Sequence, residues 1–225
     1  MIDLEIFTLT LVSDRPIKGS ALQLRGFFAT KFNEYVLLHH HHADKFIYRY
    51  PLVQYKIING TPTVIGINEG SDLLKEIYHL SPSIRLGDDE YRVIREGVDV
   101  RRVPFGLDTT FRTYEFVTPW IALNQENYHA FYQTRNAEER RDLLRRTLTG
   151  NILSMAKSLG YQVPGQIRAE VEVRPFKQRL KEVNVMAFTG KCYCNFQVPD
   201  YLGIGKSVSR GFGALKQCIK IKEPC

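Results

Sequence analysis

The stretch KFIYRYPLVQYKIINGTPTVIGINEGSDLLKEIYHL, residues 45–80, reads as strand, turn, strand and helix in succession. Its opening mixes aromatic and aliphatic residues in the manner of one or two strands. NGTP is a tight-turn signal, and TVIGI is a short apolar strand. EGSDLLKEIYHL then shifts to helical spacing, with Ser71 or Asp72 as the expected N-cap. Towards the N-terminus, ALQLRGFFATKFNEY (21–35) follows the punctuation SDRPIKGS and spaces Leu24, Phe27, Phe28 and Phe32 for a helix. Before it, IDLEIFTLTL (2–11) alternates, with Leu4, Ile6 and Thr8 on one strand face and Glu5, Phe7 and Leu9 on the other. Towards the C-terminus, EYRVIREGVDVRRVPF (90–105) supplies a further strand, broken at Gly97. The order is βαββαβ, the ferredoxin-like plan.

The second half repeats the order of elements without repeating the sequence. TTFRTYEFVTPWIALN (109–124) reads as a strand, and NAEERRDLLRRTLTGNILSMAKSLGY (136–161) as the longest helix, with an apolar stripe through Leu143, Leu144, Leu148, Ile152, Leu153, Ala156 and Leu159. GQIRAEVEVRPFKQRL and VNVMAFTGKCYCNFQV alternate as a strand pair, and ALKQCIKIK (214–222) closes as a strand. PDYLGIGKSVSRGFG (199–213) stands where a second helix is expected. The reading is therefore an α+β chain of two tandem ferredoxin-like domains, 1–107 and 108–225, divided at Gly106, Leu107 and Asp108.

At 225 residues, 44% hydrophobic and 24% charged, the chain has an ordinary globular composition. It contains no apolar run of about eighteen residues or more, so no membrane partner is expected. MIDLEIFTLTLVSDRP alternates like a strand rather than reading as a signal peptide. Cys192, Cys194, Cys218 and Cys225 are few and late, which fits a reducing cytoplasm. The formal net charge of +7 favours polyanionic partners, and the cations concentrate in 135–146, 168–181 and 206–222. In the first of these runs Glu138, Glu139 and Asp142 are interspersed, so much of it reads as a self-paired face.

Two segments carry candidate chemistry. LGIGKSVSRGFGAL (202–215) brackets Lys206, Ser207, Ser209 and Arg210 with Gly203, Gly205, Gly211 and Gly213. Glycine permits positive φ and close backbone approach, so such a loop can offer N–H groups to phosphate oxygens while the cations supply charge. It has neither the Walker A order nor the Rossmann setting, and a flexible hairpin between strands is the competing reading. The second segment is the run His39, His40, His41 and His42. Histidine titrates near neutral pH, so the run can supply an acid–base pair. A polar loop competes with that reading. A zinc site is disfavoured because only Asp44 lies near by as a further ligand. Lys31 before the run and Tyr48 after it add an ammonium and a phenol to the same stretch, groups suited to offsetting negative charge and to orienting or donating a proton. A solvated helix-end charge and a half-core tyrosine are the alternatives for those two. CYC (192–194) puts two thiols on one strand face near Cys218, and core cysteines are the expected reading.

The glycine-rich GIGKSVSRGFG before a final strand resembles the CRISPR-associated repeat-processing endoribonucleases, a branch of the repeat-associated RNA-binding superfamily built from tandem RRM-like folds. The block LLHHHHADKFIYRYPLVQYKIINGTPTVIGINEG is similar to an archaeal-type subgroup with an H-x-H pair before a YRYPxVQYK strand. The resemblance implies cleavage of a CRISPR precursor transcript within its repeats, without metal or cofactor, to give crRNA. The ribose 2′-hydroxyl would attack the adjacent phosphate, leaving 2′,3′-cyclic phosphate and 5′-hydroxyl ends. It favours the register His39 and His41, since the family pair directly follows an apolar residue such as Leu38; His40 and His42 are the other H-x-H choice. Homodimers occur among related enzymes. The rival expectation is a catalytically silent crRNA-binding subunit of an effector complex.

Overall fold

The computed structural model describes residues 1–32, 50–78, 82–180 and 183–218, and the chain divides into two compact units. One comprises Asp3–Val103 with Ser207–Phe212; the other comprises Met1–Ile2, Pro104–Lys206 and Gly213–Cys225. No helix among the described residues is long and apolar enough to cross a membrane.

The first unit is built from β1 (Ile2–Ser13), α1 (Ala21–Lys31), β2 (Val53–Ile58), β3 (Thr61–Ile67), α2 (Glu69–Ile77), β4 (Ser83–Leu86) and the first part of β5 (Asp89–Phe116). Its strand order is β2-β3-β1-β5, with β4 folded back on β5. The β2–β3 hairpin closes on two residues, Asn59 (φ 50°) and Gly60 (φ 76°), and so aligns Ile58 with Thr61. That is the Asn-Gly turn whose backbone twist matches the twist of the strands it joins. Phe7, Leu9 and Leu11 of β1 pack with Leu24 and Phe28 of α1 and Leu74 of α2, so both helices cover the same apolar core.

α1 begins at Ser20, which accepts from the Gln23 N–H while the Gln23 side chain accepts from the Ser20 N–H. This reciprocal cap satisfies two of the helix's orphan donors. The cap of α2 departs from expectation. Asn68, not Ser71 or Asp72, occupies the N-cap, and its side chain turns away to accept from the Glu5 N–H. Ser71 lies inside the helix, where its hydroxyl donates to the Glu5 carboxylate. The β3–α2 junction is tight: a Cβ on Gly66 would stand 2.4 Å from the Gly70 carbonyl oxygen.

The second unit takes the end of β5, then α3 (Gln125–Gln133), α4 (Ala137–Ser158), β6 (Ala169–Leu180), β7 (Val183–Gln197) and β8 (Leu215–Gln217). Strand order is β5-β7-β6, and β8 pairs with β5. The expected break at Gly97 is absent, because β5 runs through it, and the strands expected at 90–105 and 109–124 are one element. α4 is the longest helix and buries Leu144, Leu148, Ile152, Met155 and Ala156. Trp120 is fully buried, stacked on Phe116 with ring centres 5.0 Å apart, and its indole N–H donates to Asn151 of α4. Cys192 and Cys194 are core residues, and burial pushes both thiols up from their ordinary value. Where a second helix is expected, the chain forms only a 3-10 turn, Val208–Arg210.

Candidate functional site

Of the expected catalytic residues, Lys31 is described; His39, His41 and Tyr48, with the alternative pair His40 and His42, lie outside the described residues. Lys31 closes the last turn of α1, exposed, with its ammonium 5.4 Å from the centre of the Phe32 ring. The capping box at Ser20 and the buried Leu24 and Phe28 fix the register of this helix, and thereby the position at which it delivers Lys31. Among the described residues no three His, Cys, Asp or Glu side chains lie close enough together to hold a metal ion.

The glycine-rich segment is described throughout, and much of its backbone is already hydrogen-bonded. Within the second unit, the Ile204 N–H donates to Gly213 O, the Lys206 N–H to Ile121 O and the Gly213 N–H to Pro119 O. Gly203 and Ala214 form an antiparallel bridge. The glycines answer to packing. A Cβ on Gly205 would lie 2.7 Å from both Ile121 O and the Trp120 indole nitrogen, and one on Gly213 would lie 2.0 Å from Ile204 O. Lys206 is exposed beside Asn124, Asn127, Arg146 and Asn151, which line a groove with it. Arg146 and Arg145 both pair with Asp142 within α4, the self-paired pattern anticipated for that helix.

Ser207–Phe212 belongs to the first unit. Ser207 (φ 56°) and Gly211 (φ 98°) flank the 3-10 turn in the left-handed region, and together they fold the segment into a compact knuckle bearing Arg210 and Ser209. A Cβ at Gly211 would come within 2.5 Å of Ala21 Cβ, so the knuckle rests directly on α1. Beneath it lies a residue that sequence reasoning passed over. Lys56 of β2 is fully buried, and its ammonium donates to Val208 O (3.1 Å) and Phe212 O (3.5 Å). A lone cation in a strand of otherwise uncharged residues, between Tyr55 and Ile57, was the available signal. Arg25, one helical turn beyond Ala21, was likewise missed. Burial, then the Arg210 guanidinium, lowers its proton affinity.

Burial pushes the Lys56 ammonium down from 10.5 to about 7. The unfolded chain holds this proton up to its ordinary value, whereas the folded chain releases it near neutrality. Between those two pH values the unfolded state binds more protons, so stability rises with pH across that window. Below about pH 7 both states are protonated, and the full cost of the buried charge is felt. Thermal melting of the wild type against Lys56→Met from pH 6 to about 10 should show the wild type gaining ground as pH rises. Two parallel curves would exclude Lys56 as the source.

Comparison with known proteins follows this geometry closely. A family model for the Cas6b N-terminal domain matches residues 2–103, and one for the Cas6b C-terminal domain matches residues 106–218. A crystal structure of Cas6b shares 34% identity and a TM-score of 0.89, covering 96% of this chain and 100% of that one. A second, of the CRISPR RNA processing endoribonuclease Cas6b, shares 32% identity and a TM-score of 0.76 over the same shares. The uncharacterized protein MJ0978 of Methanocaldococcus jannaschii is 37% identical over 141 residues, which span 62% of this chain and 93% of that protein. A Cas6 product complex at 14% identity, with a TM-score of 0.61, shares the fold.

Proposed function

The chain belongs to the Cas6b family and is a CRISPR RNA processing endoribonuclease, and from that premise we propose that it cuts within repeats by internal transesterification. The ribose 2′-hydroxyl attacks the adjacent phosphate. One of His39 and His41 takes the 2′-proton and the other protonates the departing 5′-oxygen. The Lys31 ammonium offsets charge on the phosphorane, and Tyr48 orients or donates a proton. The products are a 2′,3′-cyclic phosphate and a 5′-hydroxyl, and no metal takes part.

The observation that carries this reading is the family match over nearly the whole chain, together with the placement of Lys31 at the end of a capped helix eight residues before His39. RNA contacts come from Lys206, Ser207, Ser209 and Arg210, and Gly203, Gly205, Gly211 and Gly213 shape the backbone that presents them. Among these, Arg210 and Ser209 ride on the knuckle that Lys56 holds. The chain acts in the cytoplasm on repeat transcripts, whether alone, as a homodimer or attached to an effector complex.

Incubation with repeat RNA in EDTA should give one discrete cut per repeat. The downstream product should accept label from polynucleotide kinase without prior phosphatase treatment, because its 5′-end is a hydroxyl. A 2′-deoxy substitution at the cut site should abolish cleavage and leave binding intact, since it removes the nucleophile and little else. Cleavage that returns only on addition of a divalent ion overturns the mechanism. Tight binding with no cut at any repeat position would instead fit a silent crRNA-binding subunit.

A further inference from the structure

We propose that Arg25 and Arg210 form a phosphate-binding pair for the RNA backbone, and that Lys56 is the positioning residue that seats Arg210 in it; this rests on the RNA-cleaving reading above. Packing places the pair. Gly211 lies against Ala21 closely enough to exclude a Cβ, and Arg210 is its immediate chain neighbour. Arg25 follows Ala21 by one helical turn, so the two share a face of α1. The knuckle therefore brings Arg210 to the part of α1 that carries Arg25. The electrostatics at Arg25 agree, since Arg210 adds to burial in lowering its proton affinity.

Two half-buried cations held together repel each other, and an anion placed between them turns that repulsion into attraction on both sides. Guanidinium is the group best matched to a phosphate diester, because its planar fork can engage two oxygens at once. A further polar atom lies near by. The Tyr55 hydroxyl is buried, has no hydrogen-bond partner among the described residues, and sits within the electrostatic reach of Arg25. A buried hydroxyl left unpaired is costly, and a phosphate oxygen or a water shared with it would relieve that cost.

Lys56 cannot itself serve the ligand, because its donors are turned to carbonyls inside the protein. Those carbonyls belong to Val208 and Phe212, two residues to either side of Arg210. Clamping both ends of so short a stretch fixes the direction in which the residue at its middle projects. β2 is the edge strand of its sheet among the described strands, so the knuckle is held there by side-chain bonds and packing, not by a strand ladder. A lysine at this position is therefore an anchor for an arginine two residues from each of its acceptors.

The test measures affinity for a repeat RNA carrying a 2′-deoxy substitution at the cut site, as a function of salt, so that binding is read apart from cleavage. Arg25→Gln and Arg210→Gln should each weaken binding by roughly three- to tenfold and flatten the salt dependence by about 0.7 per contact on a single strand. Lys56→Met should weaken binding about as much as Arg210→Gln, although it touches no RNA. On cleavable RNA it should raise KM more than it lowers kcat. The double variant Lys56→Met/Arg210→Gln should lose no more than the larger single loss, because both remove the same contact. Should Lys56→Met fail to fold, Lys56→Gln, whose shorter side chain keeps an uncharged NH2 donor, carries the same comparison. If the two losses multiply in the double variant, Lys56 is not positioning Arg210. If the arginine variants bind with wild-type affinity and salt slope while the wild type cleaves, the phosphate pair is wrong and the endoribonuclease reading stands. If the wild type cuts no repeat RNA, that reading itself falls.

Discussion

His39→Ala and His41→Ala should each slow cleavage of repeat RNA by roughly a hundredfold or more, the usual scale for removing a general acid or base. Binding should change far less than the rate, because a pair of imidazoles of which only the acid is charged contributes little to holding phosphate. The double variant should lose less than the product of the single losses, since groups acting on one proton-transfer sequence are not independent. Single-turnover kinetics at saturating enzyme reads these losses free of product release. His40→Ala and His42→Ala should be near silent. Should the even-numbered pair prove essential and the odd-numbered pair dispensable, the register moves by one residue and the chemistry survives. Wild-type rates in all four variants would reduce the run to a polar loop.

Gly213→Val should damage the fold before it damages RNA binding. The residue sits at φ 67°, where a β-branched side chain is strained, and its Cβ would stand 2.0 Å from Ile204 O. That oxygen is backbone, its residue is tied to Gly213 through the Ile204 N–H, and no rotamer change moves it aside. Left-handed strain and overpacking together cost about 2–5 kcal/mol. For a chain of this size that lowers Tm by roughly 5–20 °C. Calorimetry of the purified variant without RNA is the measurement. An unchanged melting curve with lost RNA affinity would instead mean that the glycine serves the approach of the ligand.

The order of elements in the first unit was legible because local chemistry marks it: Asn59-Gly60 for the hairpin, Ser20 and Gln23 for the start of α1, and alternation along β1 interrupted only at Ile6 and Phe7. The cap of α2 was misplaced because Asn68 spends its side chain on β1, a long-range bond that no local pattern announces. Gly97 did not end β5. A glycine weakens a strand interior, yet pairing on both sides of it can hold the strand straight. α3 was missed because QENYHAFYQ buries only Phe131, too little to show a helical stripe. The glycine-rich segment was found by composition and its roles were only half legible. The spacing of glycines and cations marks a special backbone, but not which N–H groups the protein itself consumes. Lys56 was hidden in plain view, since a buried cation is recognised by its acceptors, and these lie 152 and 156 residues away.

That long reach bears on how a new molecule is made. Synthesis proceeds from the N-terminus, so Lys56 and α1 leave the ribosome long before Val208 and Phe212 exist. Until the last stretch of chain emerges, the amine of Lys56 has neither of its described acceptors, and the knuckle that carries Arg210 is missing altogether. A chain that stops short of Phe212 thus lacks the proposed grip on RNA even if its first hundred residues have folded. The proposed phosphate pair can therefore form only on a chain synthesised past Phe212.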